Sequence, residues 1–237
     1  MLTVEGRRLF SSILEYLESV EARDPAARSH WEVLTYPGAW ALGFHRVAHW
    51  LYGGELYFLA RCVNHFARFL TAVDIHPGAK IGKRFFIDHG FTVIGETAEI
   101  GDDVTIYQNV TLGGTNPHEG HAGKRHPTIG DKVVIGSGAQ VLGPIVVGEG
   151  ARVGANAVVT RDVAAGATMV GIPAKPVPVD TAAAEPRQFL PYGTPCNEIA
   201  DPMLARLCEL EREIAALREE RKARAGPKEP PVRSKRA

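Results

Sequence analysis

The chain has 237 residues, enough for one substantial core and an appendage. Its 27 basic and 27 acidic residues balance, which argues against a nucleic-acid or acidic-polymer binder. Three widely spaced cysteines, Cys62, Cys196 and Cys208, give neither a disulfide framework nor a metal-ligand spacing, a pattern suited to a reducing cytoplasm.

The opening stretch, MLTVEGRRLFSSILEYLESVEARD, carries acids within its apolar pattern, so it does not read as a signal peptide. No apolar run is long enough to span a bilayer, and a cytoplasmic location is expected. Leu9, Ile13, Leu14, Leu17 and Val20 recur at helical spacing. A second helix is predicted within RDPAARSHWEVL, with Asp24 as its cap and Pro25 in its first turn. A third covers YPGAWALGFHRVAHWLYGG and is closed by Gly53 and Gly54. A fourth covers ELYFLARCVNHFARFLT, which brings the helical region to residues 1–71.

From residue 72 to 178 the period changes to six. Ile75, Ile81, Ile87, Ile94, Ile100, Ile106 and Leu112 form one register. Ile129, Ile135, Val141, Val147, Val153 and Val159 form a second, and glycine repeatedly follows the apolar residue. This is the hexapeptide pattern of a parallel β-helix, in which each hexad is a short strand and a corner and about 18 residues close one coil. Two breaks interrupt it. Ile94 comes one position late after Ile87, and residues 113–128, GGTNPHEGHAGKRHPT, must leave the coil as a loop.

Residues 179–237 read as a tail. Met203, Leu207, Leu210, Ile214 and Leu217 alternate in a short coiled-coil pattern, with too few heptads to be stable alone. The basic, proline-rich end RKARAGPKEPPVRSKRA is expected to be a solvated tail.

Taken together, RDPAA, VDIHPGAKIG, IDHG, IGETAEIGDDVTIYQNVTLGGT, KRHP and VGIPAKPV resemble serine acetyltransferase over residues 20–178. The resemblance implies an α+β chain, with a helical region followed by a left-handed parallel β-helix and a C-terminal helical tail. It implies a homotrimer, or a dimer of trimers, with active sites between neighbouring subunits. It also implies transfer of an acetyl group from the co-substrate acetyl-CoA to L-serine, with no metal.

A serine hydroxyl is a poor nucleophile until a base removes its proton, and an imidazole suits that task. The resemblance assigns the base to His89 and its carboxylate partner to Asp74, fifteen positions earlier and so slightly less than one coil away. It assigns serine binding to Asp24, Asp88, Arg125 and His126, with the Arg125 fork matched to the serine carboxylate. Gly114, Thr115, Ser137 and Ala155 match positions of the acetyl-CoA groove, and Lys175 could meet a CoA phosphate. One residue is missing after the Asp-His pair relative to typical members, and the 113–128 loop is longer. His118 and His121 lie in that added length and receive no role. His76 is assigned to local structure, and His45, His49 and His65 to the core or surface of helices.

Rival readings are a hexapeptide acetyltransferase with another small acceptor, a γ-class carbonic anhydrase using His121 and His126, and a passive scaffold. Many family members dock cysteine synthase through a C-terminal isoleucine. This chain ends VRSKRA, so no tight complex of that kind is expected.

Overall fold

The computed structural model describes residues 4–115 and 123–177, and positions 206, 210, 212–214 and 217; side chains are described from residue 11 onward. The chain divides into two compact units, Met1–Pro195 and Cys196–Ala237. In the second unit, the described positions are helical, and Leu210, Ile214 and Leu217 are exposed. Met203 and Leu207 of the expected coiled-coil pattern lie outside the described residues, as do His118 and His121.

The first unit opens with four helices: α1 (Val4–Glu21), α2 (His30–Val33), α3 (Pro37–Gly53) and α4 (Tyr57–Thr71). Pro37 opens α3, where its missing N–H costs nothing, and the chain turns out at Gly54. The fourth helix stops at Ala72, in the left-handed conformation with its N–H on the Arg68 carbonyl.

The expected cap of the second helix is corrected. Asp24 caps nothing: its Oδ1 accepts from the Ala26 N–H at 2.8 Å and its Oδ2 from the Tyr36 hydroxyl at 2.6 Å. With that carboxylate engaged, the helix starts later. Ser29 is its cap, accepting from the Glu32 N–H at 3.3 Å.

Fifteen short strands follow among the described residues. Face one of the coil holds β1 (Asp74–Ile75), β4 (Val93–Ile94), β7 (Thr111–Gly113), β10 (Gln140–Leu142) and β13 (Val158–Val159). Face two holds β2 (Lys80–Ile81), β5 (Glu99–Ile100), β8 (Thr128–Ile129) and β11 (Val146–Val147). Face three holds β3 (Phe86–Ile87), β6 (Thr105–Ile106), β9 (Val134–Ile135), β12 (Arg152–Val153), β14 (Thr168–Val170) and β15 (Lys175–Pro176). All pairings are parallel except the last, β14 with β15. The architecture is helices followed by a left-handed parallel β-helix.

Each hexad position predicted to point inward does so. Ile87, Ile106, Leu112, Ile135, Val141, Val147, Val153 and Val159 are fully buried along the axis, each worth about 1.5–3 kcal/mol of burial. The first coil is one residue longer than the eighteen-residue repeat: Ile75 lies beside Ile94, Ile81 beside Ile100 and Ile87 beside Ile106, nineteen positions on each time. From Ile94 to Leu112 the step is eighteen. The extra residue therefore sits at the corner carrying Asp88, His89 and Gly90. A further irregularity escaped the sequence count. After Val159 the coil resumes at Val163, which bridges to Val147, and Met169 then pairs with Val153.

The mouth of the coil is closed by α3. Ala41 joins the axial core, and Gly38 lies so close to β3 that a Cβ there would stand 2.3 Å from the Ile87 carbonyl oxygen. Arg23 fastens the end of α1 to the coil wall. Its guanidinium donates to the carbonyls of Asp103 and Val104 at 3.2 Å and to Thr105 Oγ1 at 3.0 Å.

Candidate active site

The expected site residues gather at two different corners, with face one between them. The first lies between faces three and one. It carries Asp88 and His89 after β3, and Ser137 and Ala155 two and three strand layers further along. The second lies between faces one and two. It carries His76, Glu96 and Thr97, then Gly114 and Thr115, and the return of the long loop at Arg125 and His126.

At the first corner Asp88 is buried, and His89 stands out from the wall with its side chain 68% exposed. Asp88 Oδ1 lies 3.5 Å from His89 Nε2. The His89 backbone is left-handed, at φ 62°. Asp103 and Lys132 share that conformation at other corners, so it serves the turn as much as the site. Asp24 sits beside this corner, and its charge and that of Asp88 both act on Tyr36 and Tyr107. The hydrogen bond to Asp24, aided by burial, pushes the Tyr36 hydroxyl up to about 12.

Asp74, the expected partner of His89, is on β1 of face one. Its backbone N–H bonds the carbonyl of Thr92, three positions past His89. Its carboxylate accepts from Asn64 Nδ2 at 3.1 Å and pairs with Arg68 at 3.3 Å. The carboxylate that the structure places on His89 is thus Asp88, and Asp74 is tied to α4.

At the second corner the His126 ring is buried against Gly95, where a Cβ would stand 2.0 Å from its Cδ2. His126 Nδ1 accepts from the Thr97 backbone N–H at 3.1 Å. A backbone N–H can only donate, so neutral His126 carries its proton on Nε2 and offers a donor there. Thr97 Oγ1 accepts from the N–H groups of Arg125 and His126 at 3.0 and 3.1 Å, which aims its own hydrogen at His126 Nδ1, 2.9 Å away. Burial, then the Arg125 charge, hold the imidazole below its ordinary pKa and keep it neutral. Arg125 is clamped by Glu96 Oε2, and Glu96 Oε1 accepts from the Tyr52 hydroxyl at 2.8 Å. Burial raises the Glu96 pKa, but the Tyr52 and Arg125 hydrogen bonds outweigh it and keep the group a carboxylate. His76 accepts from the Gly78 N–H at 3.0 Å, the local structural role expected of it.

Gly114 and Thr115 are exposed at the end of β7, and Lys175 is exposed on β15. Among the described residues no group of three or more potential ligands could hold a metal ion, and no helix is long and apolar enough to cross a membrane. Tyr36 and Tyr52 carry no motif signal, and Glu96 and Thr97 stand within IGETA without a role that the sequence assigns.

Residues 126–161 match the family model described as bacterial transferase hexapeptide (six repeats). The chain is 57% identical to the serine acetyltransferase of Helicobacter pylori strain J99 over 166 residues, 69% of this chain and 95% of that protein. It is 47% identical to the serine acetyltransferase of Bacillus subtilis strain 168 over 224 residues, 92% of this chain and 99% of that protein. Among solved structures, the Neisseria gonorrhoeae serine acetyltransferase in complex with serine superposes with a TM-score of 0.67 at 37% identity, covering 73% of this chain and 70% of that one.

Proposed function

Because the chain belongs to the serine acetyltransferase family, we propose a residue-level account of how it moves the acetyl group of acetyl-CoA onto the hydroxyl of L-serine. His89 is the general base. Its imidazole takes the hydroxyl proton as the serine oxygen attacks the thioester carbonyl. The tetrahedral intermediate collapses with loss of the CoA thiolate, and the imidazolium returns the proton to sulfur. O-Acetylserine and CoA are the products. His126 is the complementary donor: with Nδ1 pinned by a backbone N–H, its Nε2–H is suited to the developing oxyanion rather than to proton abstraction.

Asp24 and Asp88 supply negative charge for the serine ammonium, and Arg125 supplies the fork for its carboxylate. Gly114, Thr115, Ser137 and Ala155 line the acetyl-CoA groove, with Lys175 toward the CoA phosphates. Asp74, held by Asn64 and Arg68, supports the His89 imidazolium through its negative charge, so Asp74→Asn is expected to lower kcat.

The observation that carries this account is the division of the site between two corners of one coil. His89, Asp88 and Asp24 belong to one corner, and Arg125 and His126 to the other. That arrangement supports a ring of three chains in which the first corner of one protomer meets the second corner of the next. The exposed Trp40, Trp50, Phe58 and Phe69 support a further contact between two trimers through the helical region, residues 1–71.

Two experiments test the proposal. CoA thiol release from acetyl-CoA with L-serine checks the acceptor, and preference for another small acceptor would redirect it. Mixing His89→Ala and Arg125→Ala protomers checks the composite site. Random assembly around a ring gives about one interface in four with both native halves, so kcat/KM should recover to roughly a quarter of native. No recovery in mixed trimers would place the whole site within one chain.

A further inference from the structure

Helix α3 does more than close the coil. Along its length it touches the wall repeatedly. Gly38 packs on Ile87, Arg46 donates to the Gly82 carbonyl at 3.1 Å, and His49 Nδ1 donates to the Pro77 carbonyl at 2.7 Å. The residue at its N-terminal cap, Tyr36, holds Asp24. In its last turn Tyr52 holds Glu96, and Glu96 clamps Arg125.

We propose that Tyr52 is a positioning residue for the amino-acid acceptor: through Glu96 it fixes the Arg125 guanidinium, so that the helix closing the coil sets the affinity for serine. The inference rests on the reading of Arg125 as the ligand of the serine carboxylate. Glu96 is a half-buried carboxylate with a rotatable end. One oxygen is held by Tyr52 and the other by Arg125. Removing the hydroxyl leaves Oε1 without that donor and frees the carboxylate to turn, taking the arginine with it. A guanidinium has five N–H donors in a fixed fork, so Arg125 can keep Glu96 and still present donors to a substrate. Tyr52 and Glu96 also line an open cleft of about 320 Å³ with Lys80, Thr97, Glu99 and Lys124, so the pair stands at the edge of solvent, not within a packed core. Loss of the hydroxyl is therefore not expected to unfold the corner.

The test is Tyr52→Phe in the full chain, alone and combined with Arg125→Ala. Tyr52→Phe should raise the KM for L-serine about three- to tenfold, the usual effect of one net hydrogen bond, with kcat and the KM for acetyl-CoA nearly unchanged. Glu96→Gln, which weakens the clamp by removing its charge, should raise the serine KM further. The double variant Tyr52→Phe with Arg125→Ala should match Arg125→Ala alone within about twofold, because the tyrosine acts only through the arginine. A merely structural tyrosine would instead lower kcat and the urea midpoint and add to the Arg125 effect. If Arg125→Ala raises the serine KM and Tyr52→Phe does not, the inference fails. If Arg125→Ala itself leaves the serine KM unchanged, the reading of Arg125 fails first.

Discussion

His45 is expected to make the fold acid-sensitive. It lies on α3 over the mouth of the coil, 4% exposed, and neither ring nitrogen has a hydrogen-bond partner among the described residues. It is stacked on His49 at 5.5 Å between ring centroids, next to a small cavity lined by Ala41, Ala48, Asn64, Ala67, Val73 and Ile75. Burial, then the charges of His49 and Arg46, push its pKa down to about 4, against a weaker pull upward from the backbone of Ala79 and His76. The ring is thus neutral when folded and ready to take a proton when unfolded. Between pH 6.5 and 4 the unfolded chain binds more protons at this site, so stability is complete above the unfolded pKa and is lost as pH falls through that window. Each unit of pKa difference is worth 1.36 kcal/mol. Between pH 7 and pH 5 His45 alone should therefore cost about 2 kcal/mol. Urea unfolding of the native protein and of His45→Leu, at one protein concentration and at both pH values, isolates this contribution from the carboxylates. The variant should gain about 2 kcal/mol relative to native on going from pH 7 to 5. A difference between the two proteins that does not change with pH would refute the argument.

His89→Ala should lower kcat by roughly 10²–10⁴ while circular dichroism shows an unchanged fold, and a folded variant keeping about half the native kcat would remove His89 as base. Gly95→Ala places a Cβ 2.0 Å from the His126 ring, so kcat/KM should fall tenfold or more as the ring is displaced, at a stability cost of about 1–3 kcal/mol. Ser29→Ala should cost about 1 kcal/mol in urea unfolding and leave kinetics alone, whereas Asp24→Asn should raise the serine KM more than it lowers stability. The reverse pattern would leave Asp24 a purely structural role through its hydrogen bonds with Ala26 and Tyr36.

The coil was legible because every sixth residue has the same task. Ile87, Ile106, Ile135 and Val153 all point to one axis, and their spacing is the fold. Where the spacing itself changes, the count loses its guide, which is why the resumption at Val163 and Met169 was not read. The start of α2 was misplaced for a different reason. Asp24 has the right chemistry for a cap, and nothing local shows that Tyr36, twelve residues on, takes its carboxylate instead. Tyr52 was invisible on the same grounds. Its partner Glu96 is forty-four positions away, and a tyrosine in the last turn of a helix carries no periodic signal. The sequence singles out the motif histidines but not their hydrogen bonds, because the tautomer of His126 is set by a backbone N–H contributed by Thr97.

A solenoid of uniform hexads has no reason to bind anything, since each coil repeats the last and the axis is packed solid. Its interruptions supply the asymmetry. The extra residue of the first coil falls at the corner that turns His89 outward and keeps Asp88 in the wall. The long loop leaves at the other corner of the same face and returns as Arg125 and His126, whose ring occupies the space that Gly95 leaves without a side chain. On the proposed reading each insertion delivers one half of the chemistry, the proton acceptor at one and the fixed donors at the other. Face one separates them within a chain. An assembly that brings unlike corners of neighbouring chains together needs no further change in either corner, because both halves are already built on rigid coil.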